Sequence, residues 1–158
     1  MKPDFHSPTK GPLNLDKVVD EIIAYIKNDP ERKYSIVVGS DSYPSNSIDY
    51  VTAIVVHREG RGGRYFWKKE HQQGKTPTLR NRIYQETTHS IETAQALIEK
   101  LDIKKLSGYD FAIHIDVGNT GSTRDMISEV VGMVKGNGFT AKTKPESYAA
   151  STVADKYT

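Results

Sequence analysis

Two aspartates follow apolar segments of the sequence, at positions where a carboxylate can act as a metal ligand. Asp41 ends the segment at residues 34–40, and Asp116 ends a similar segment at residues 109–115. A carboxylate at the end of a buried strand is poorly solvated. It is also the ligand type that Mg²⁺ prefers, and Mg²⁺ keeps positions open for substrate phosphates. The two aspartates therefore predict a divalent-metal site at one edge of a sheet.

Each aspartate also has a simpler interpretation, as part of the turn that follows its strand. Asp and Ser favour turns, and Gly118 strengthens this alternative for Asp116. His114 shares a sheet face with Asp116, because side chains two residues apart in a strand point the same way. A histidine in a strand is more often structural than functional, and we expect this of His114. The two aspartates together, with the order of the strands, favour the metal site.

Hydrophobic periodicity predicts the elements that must hold these residues. Three strands joined by tight turns are expected to pair antiparallel, and helices then alternate with two further strands. This order, β-β-β-α-β-α-β-α with one helix in front, indicates an α/β fold with a mixed five-stranded sheet and helices packed on it. The predicted strands are residues 34–40, 48–58, 65–70, 109–116 and 139–144, and the predicted helices are residues 14–28, 79–101, 122–135 and 147–157.

The length of the chain, 158 residues, fits a single domain over residues 1–158. Residues 1–13 are rich in proline and poor in apolar side chains, so we expect an irregular arm there. Residues 14–28 are the leading helix, and residues 33–158 are the core of the predicted domain.

The composition excludes several classes of protein. The chain has no cysteine, so disulfides, thiolate metal sites and cysteine nucleophiles are excluded. No apolar stretch approaches the roughly 18 residues of a membrane span, and the N-terminus lacks the apolar core of a signal peptide. We therefore expect a cytoplasmic protein that does not enter a membrane. The net charge of +2 is too small to indicate a nucleic-acid partner by itself, and a homodimer is compatible with so short a chain.

Four short motifs are more specific than the order of the elements. They are Val-Gly-Ser-Asp-Ser at residues 38–42, His-Ile-Asp-Val-Gly at 114–118, Val-Val-Gly-Met-Val-Lys-Gly-Asn-Gly at 130–138 and Ala-Ser-Thr-Val-Ala-Asp-Lys at 150–156. In these motifs the chain resembles the YkuK-like family, a bacterial group of the ribonuclease H-like superfamily. The resemblance covers the chain from Lys33 to the C-terminus and implies a ribonuclease H-like fold.

The resemblance also implies four acidic site residues, on the first strand, the first long helix, the end of the fourth strand and the last helix. The matching positions are Asp41, Glu86, Asp116 and Asp155. Helix geometry supports Glu86, which lies about 60° from Ile83 on the flank of the apolar stripe, although a charge near a helix N-terminus is favourable without any metal. Asp155 lies near the C-terminus, where helices fray and a solvated face would explain it equally well.

Basic and aromatic side chains supply candidate contacts to nucleic acid. Aromatic rings can stack on bases, although in strands they are more often half-buried; the candidates are Tyr43, Tyr65, Trp67 and Tyr84. Basic side chains can contact phosphates, although solvated surface charge explains them as well; the candidates are Lys68, Lys69, Arg80, Arg82 and Arg124. The glycine-bearing loop at residues 116–123 can bind phosphate through backbone N–H groups, or it can simply connect a strand to a capped helix.

The metal-site interpretation predicts a nuclease. Asp41 and Asp116 would contact two Mg²⁺ or Mn²⁺ ions, and Glu86 and Asp155 would each complete one side. Such a site hydrolyses phosphodiester bonds by a two-metal mechanism.

Two alternatives stay open at the level of the sequence. A catalytically inactive nucleic-acid-binding module of the same fold would bind through the basic residues of one hairpin, Arg58, Arg61, Arg64, Lys68 and Lys69. An enzyme acting on nucleotide phosphates would use an Asp-x-Gly loop, as actin-like ATPases do. The segment from Asp116 to Gly118 follows the fourth strand rather than lying in a first-strand hairpin, which argues against this second alternative.

Overall fold

The computed structural model describes residues 2–104, 109–119 and 121–158. The α-helices in these residues are α1 (Leu15–Asn28), α2 (Leu79–Ile103) and α3 (Ile127–Gly136), and a 3₁₀ turn at Arg124–Met126 precedes α3. A π-helix at Ala149–Ala154 and a 3₁₀ turn at Asp155–Tyr157 together form what we call the C-terminal helix. The strands are β1 (Phe5–Ser7), β2 (Gly11–Leu13), β3 (Tyr34–Pro44), β4 (Ile48–Arg58), β5 (Gly63–Gln72), β6 (Asp110–His114) and β7 (Thr140–Lys142).

The strands form one mixed sheet in the order β2-β1-β5-β4-β3-β6-β7. β3, β4 and β5 pair antiparallel, whereas β6 pairs parallel with β3 and β7 pairs parallel with β6. Parallel neighbours need a crossover connection, and α2 and α3 lie in the two crossovers. The predicted mixed α/β sheet is therefore confirmed.

Helices cover both faces of the sheet because side chains that alternate along β3 are apolar on both sides. Ile36 and Val38 join Leu97 of α2 in the main buried cluster, which also contains residues of α1 and α3. Burial of each such aliphatic side chain contributes about 1.5–3 kcal/mol. On the opposite face, Val37 packs against Ala149 of the C-terminal helix. The C-terminal helix is thereby held on one sheet face while α1, α2 and α3 occupy the other.

Both long helices begin at side-chain caps. The Asn14 side-chain oxygen accepts the N–H of Lys17 over 2.9 Å at α1, and the Thr78 hydroxyl accepts the N–H of Asn81 over 3.2 Å at α2. Such caps satisfy N–H groups that have no partner within the helix. Across the described ranges of the chain, we find no helix with both the length and the apolar character to span a bilayer.

The sheet has seven strands in the described residues, so the predicted count of five is wrong. The arm that was expected to be irregular contains β1 and β2, and β1 pairs with β5 so that Phe5 is only 2% exposed. Strands of three residues are too short to show the two-residue period, and Gly11 and Pro12 are typical of turns. The pairing with β5 overrides these local signals.

Several element boundaries also differ from prediction. The strand predicted at residues 109–116 ends at His114, and the helix predicted at residues 122–135 begins at Ile127. β3 does not stop at Asp41 but stays paired with β4 as far as Pro44, because β4 continues beside it. The last strand was predicted at residues 139–144, but β7 spans only Thr140–Lys142. The last helix was predicted from residue 147, but it begins at Ala149 as a π-helix. The predicted phosphate loop includes Thr120, which lies outside the described residues, as does Met1 of the arm.

Candidate functional site

Asp41 and Asp116 lie at a step in the sheet. β6 ends at His114, which pairs with Gly39, while β3 continues beyond that pair. Asp41 and Asp116 each follow the pair by two residues, so parallel pairing brings their chain positions side by side. Asp41 is 8% exposed, and its Oδ1 accepts the N–H of Ser42 over 2.9 Å. The step leaves one side of β3 without a strand neighbour where the carboxylates lie.

Glu86 reaches the same step from α2. It is 6% exposed, about two turns from the start of the helix. The hydroxyl of Ser42 donates to Glu86 Oε2. Arg82, one turn earlier, donates from Nε to the Ser42 hydroxyl over 3.2 Å and from Nη2 to the Ser42 carbonyl over 3.4 Å. Ser42 therefore joins β3 to α2 and holds the Glu86 carboxylate at the sheet edge.

Asp116 is held by donors from two later parts of the chain. Its Oδ1 accepts the Ser151 hydroxyl over 2.7 Å, and the Lys144 ammonium lies 3.2 Å from the same oxygen. Ser151 belongs to the C-terminal helix, and Lys144 follows β7 by two residues. The carboxylate thus links the loop after β6 to both elements.

The C-terminal helix approaches β3 more closely than any side chain at position 39 would permit. A Cβ built on Gly39 would lie 2.5 Å from the Ala150 nitrogen and 2.7 Å from the Ala149 carbonyl carbon. The Ala149 N–H donates to His114 Nδ1 over 3.1 Å, which agrees with the structural role expected of His114. These two contacts anchor the helix, and Asp155 at its end comes within hydrogen-bonding reach of Asp41.

Burial raises the pKa of Asp41 to about 8. The hydrogen bond with Asp155 and the negative charges of Glu86 and Asp116 contribute to this rise, and the N–H of Ser42 opposes it. The Asp41 carboxyl group therefore keeps its proton at neutral pH.

Burial likewise raises the pKa of Glu86 to about 7. The Ser42 hydroxyl lowers it, the charge of Asp116 raises it, and the charges of Arg82 and Lys144 lower it. Asp41 and Glu86 are therefore buried beside other acidic groups, with too little positive charge nearby to keep both of them ionised at neutral pH.

In ligand type, these side chains suit a hard divalent cation. All four groups offer carboxylate oxygens, and the raised pKa values of Asp41 and Glu86 indicate the positive charge that such a cation would add. In the portion of the chain that the structure describes, no three acidic or histidine side chains are arranged so that they could hold a metal ion. The carboxylates of Glu86 and Asp116 instead contact protein donors, namely the hydroxyls of Ser42 and Ser151 and the ammonium of Lys144.

The basic residues predicted to contact nucleic acid lie in different parts of the molecule. Arg82 lies at the site, bonded to Ser42. Arg80 forms two 2.8 Å hydrogen bonds with the carboxylate of Glu129 on α3. Lys68 lies on the face of β5 that α1 and α2 occupy, with its Nζ 3.8 Å from Glu70.

Lys69 and Arg124 are exposed. Lys69 pairs with Val51, and Val51 pairs with Asp41, so these three residues form one row across the sheet and point to the same face. Arg124 lies in the 3₁₀ turn before α3. Of the two, Lys69 is therefore level with the carboxylates along the strands.

The hairpin arginines lie at the opposite end of the sheet. Arg58 pairs with Tyr34, seven residues before Asp41, which places it about 23 Å away along the strand. Its Nη2 donates to the Tyr25 carbonyl over 2.8 Å, and its guanidinium lies 3.9 Å from the centre of the Tyr25 ring. Arg58 therefore stabilises the packing of α1 on the sheet.

Tyr43 is an exposed aromatic residue close to the carboxylates. It is 57% exposed and follows Asp41 by two residues on the same face of β3, about 7 Å along the strand. Among the described residues, its ring is the only tyrosine ring with no aromatic or cationic partner. By contrast, Trp67 stacks with both His6 and Tyr157, at centroid distances of 4.6 and 4.2 Å.

Sequence reasoning missed three residues that shape the site. Ser42 lies inside a recognised motif, and its position next to Asp41 on the opposite face of β3 would have directed it toward α2. Ser151 also lies inside a motif, and its hydroxyl lies 2.7 Å from the hydroxyl of Ser147, four residues earlier in the chain. Lys144 had no signal in the sequence, because its position depends on the path of β7 beside the loop after β6.

The comparison with known proteins agrees with this architecture. The model of the ribonuclease H-like family matches residues 17–158. A protein of Bacillus subtilis (strain 168), named "Uncharacterized protein YkuK", is 30% identical over an alignment of 165 residues. The alignment covers 98% of this chain and 96% of the relative. The chain belongs to the YkuK-like family of ribonuclease H-like proteins. No solved structure matches it. Membership in the YkuK-like family supports a nucleic-acid-related fold, and the relative's name states no reaction.

Proposed function

We propose that this YkuK-like protein is a divalent-metal-dependent nuclease that hydrolyses phosphodiester bonds. The observation that carries the proposal is the convergence of four carboxyl groups, from β3, α2, the loop after β6 and the C-terminal helix, at one edge of the sheet. Structural carboxylates are normally solvated or paired with bases, whereas Asp41 and Glu86 are buried beside other acids. That arrangement is typical of a functional site.

Each acidic residue has a defined part in this proposal. Asp41 and Asp116 would hold two Mg²⁺ or Mn²⁺ ions, with Glu86 and Asp155 each completing one side. When bound, the two ions would supply a water of lowered pKa and stabilise charge on the leaving oxygen. Asp41 must release the proton on its carboxyl group before it can act as a ligand, because burial holds its pKa at about 8.

Neighbouring side chains orient these carboxylates. The Ser42 hydroxyl fixes Glu86, and the Ser151 hydroxyl fixes Asp116. Arg82 in turn fixes the Ser42 hydroxyl through its Nε. Hydrogen bonds of this kind limit the rotamers of a ligand and tune its basicity. We infer that substrate enters from the face that carries Lys69 and Tyr43, where a phosphate and a base can be contacted beside the carboxylates.

The test is cleavage of labelled nucleic acids by the full chain in Mn²⁺. RNA, single-stranded DNA, duplex DNA, an RNA–DNA hybrid and a branched junction would each be offered to the wild type, to Asp116→Asn and to Asp110→Asn. Asp110 is an exposed aspartate at the start of β6 and serves as the matched control. We expect cleavage by the wild type and the control, and a loss of at least about 100-fold in Asp116→Asn, because removing one ligand charge disrupts the metal site.

The same panel separates the proposal from a binding module without catalysis. Cleavage by none of the proteins would contradict the nuclease. If salt-sensitive binding also persisted in Asp116→Asn, the contacts would lie in basic residues rather than in the carboxylates. Cleavage that persisted in Asp116→Asn would show that the active site lies elsewhere.

A further inference from the structure

Lys144 reaches the carboxylates along a path fixed by its surroundings. Its N–H donates to the Val117 carbonyl over 2.8 Å, so its backbone is bound to the loop after β6. Its side chain runs over Gly118, where an added Cβ would lie 3.2 Å from the Lys144 Cβ and 3.5 Å from its Cδ. The ammonium ends 3.2 Å from Asp116 Oδ1. Backbone and stem together direct the charge at the acidic cluster.

The ion pair is able to open. The Lys144 side chain is 49% exposed, and a lysine ammonium is a compact charge on a flexible stem. Exposed ion pairs contribute little net free energy, so Lys144 can exchange Asp116 for water at small cost. The positive charge of Lys144 also acts on Glu86, on the other side of the cluster. One mobile cation therefore balances part of the charge of two acidic residues.

We propose that Lys144 is a positioning residue that holds Asp116 while no divalent cation is bound and gives way when one binds. The proposal rests on the proposed function, because it requires a divalent cation at these carboxylates. Lys144 and the cation compete for Asp116, so the lysine lowers the affinity for metal and stabilises the metal-free protein. In this way the chain tolerates its acidic cluster between cycles of metal binding.

The test compares Lys144→Gln with Lys142→Gln in the full chain. Lys142 is also 49% exposed, but its ammonium faces Glu146 at 4.0 Å, outside the acidic cluster, which makes it a matched control. In calorimetric titrations with Mn²⁺ at neutral pH, we expect Lys144→Gln to bind about fivefold more tightly than wild type. Lys142→Gln should match wild type, and Lys144→Arg should do so as well because it keeps the charge.

Thermal unfolding in EDTA gives a second measurement that needs no catalysis. Lys144→Gln should unfold at a lower temperature than Lys142→Gln and should gain more from added Mn²⁺. Equal or weaker Mn²⁺ binding by Lys144→Gln, with Mn²⁺ binding intact in the wild type, would overturn the role of Lys144 alone. A wild type that binds no Mn²⁺ would overturn the proposed function, and the role of Lys144 with it.

Discussion

Replacement of Asp41 by Asn should stabilise the metal-free protein at neutral pH. The variant keeps the shape of the side chain but has no proton to lose. In the wild type, burial raises the folded-state pKa of Asp41 from 3.8 to about 8, so the folded protein retains a proton that the unfolded chain releases. A group whose pKa is raised by folding loses stability as the pH rises between the two values.

The size of the effect follows from that window. At pH 7 the unfolded chain is about 3 pH units above the ordinary pKa of 3.8, whereas the folded protein still holds the proton. At about 1.36 kcal/mol for each unit, the free energy of unfolding of the wild type falls by about 4 kcal/mol between pH 4 and pH 7 through this group. The free energy of unfolding of Asp41→Asn should not fall in this way, because the Asn side chain does not ionise.

Urea unfolding in EDTA from pH 4 to pH 9 measures the difference directly. The stability of Asp41→Asn minus that of wild type should be small at pH 4, grow to about 4 kcal/mol at pH 7 and level off above pH 8. Asp110→Asn is the control and should stay within about 0.5 kcal/mol of wild type throughout. Saturating Mn²⁺ should reduce the advantage of Asp41→Asn, because ligand at 100 times its Kd stabilises the wild type by about 2.7 kcal/mol.

One result would refute this reasoning. A stability difference that stays constant from pH 4 to pH 8 would mean that Asp41 ionises alike in the folded and unfolded chains. The carboxyl group would then be well solvated or well paired, and the idea of a charge-deficient acidic cluster would fail.

Three further changes test the supports of the site. Gly39→Ala should lower the free energy of unfolding by about 1–3 kcal/mol and alter the fluorescence of the single tryptophan, because the new Cβ displaces the C-terminal helix. Gly132→Ala is the control and should be neutral or slightly stabilising, because the space around Gly132 is open. Burial lowers the His114 pKa to about 4, so between pH 6.5 and pH 4 the unfolded chain takes up a proton at this residue and the folded protein does not, which lowers the free energy of unfolding. His114→Gln should remove this part of the loss of stability at acid pH. An unchanged pH dependence of urea unfolding below pH 6.5 would contradict this. Tyr43→Ser should weaken the binding of single-stranded oligonucleotides about fivefold in fluorescence anisotropy while leaving thermal unfolding unchanged, and equal affinity would exclude stacking by Tyr43.

The sequence could indicate the acidic positions because each lies in a locally readable context. Asp41 and Asp116 follow apolar segments, and the helical period places Glu86 on the flank of a buried stripe. The structure brings these residues together, although their roles as metal ligands stay predictions. Lys144 could not be found in this way, because no local pattern reports which carboxylate an exposed lysine will face.

The same limit applies to the fold. The apolar period predicted α2 from residue 79, and the structure begins it at Leu79. β1 and β2 were missed because their formation depends on β5, far along the chain, rather than on their own composition. Contacts between distant segments are absent from any window of local sequence.

The arm formed by β1 and β2 also forms the border of the sheet on one side. An unpaired edge strand offers its backbone groups to other chains, and natural proteins close such edges with short strands, prolines or charges. Here β1 covers Trp67 and Lys68 of the ten-residue strand β5, and β2 presents Pro12, which has no N–H to offer. At the other edge, β7 has only three residues. An arm whose proline content is typical of irregular chain thus gives the sheet a border that discourages intermolecular strand pairing.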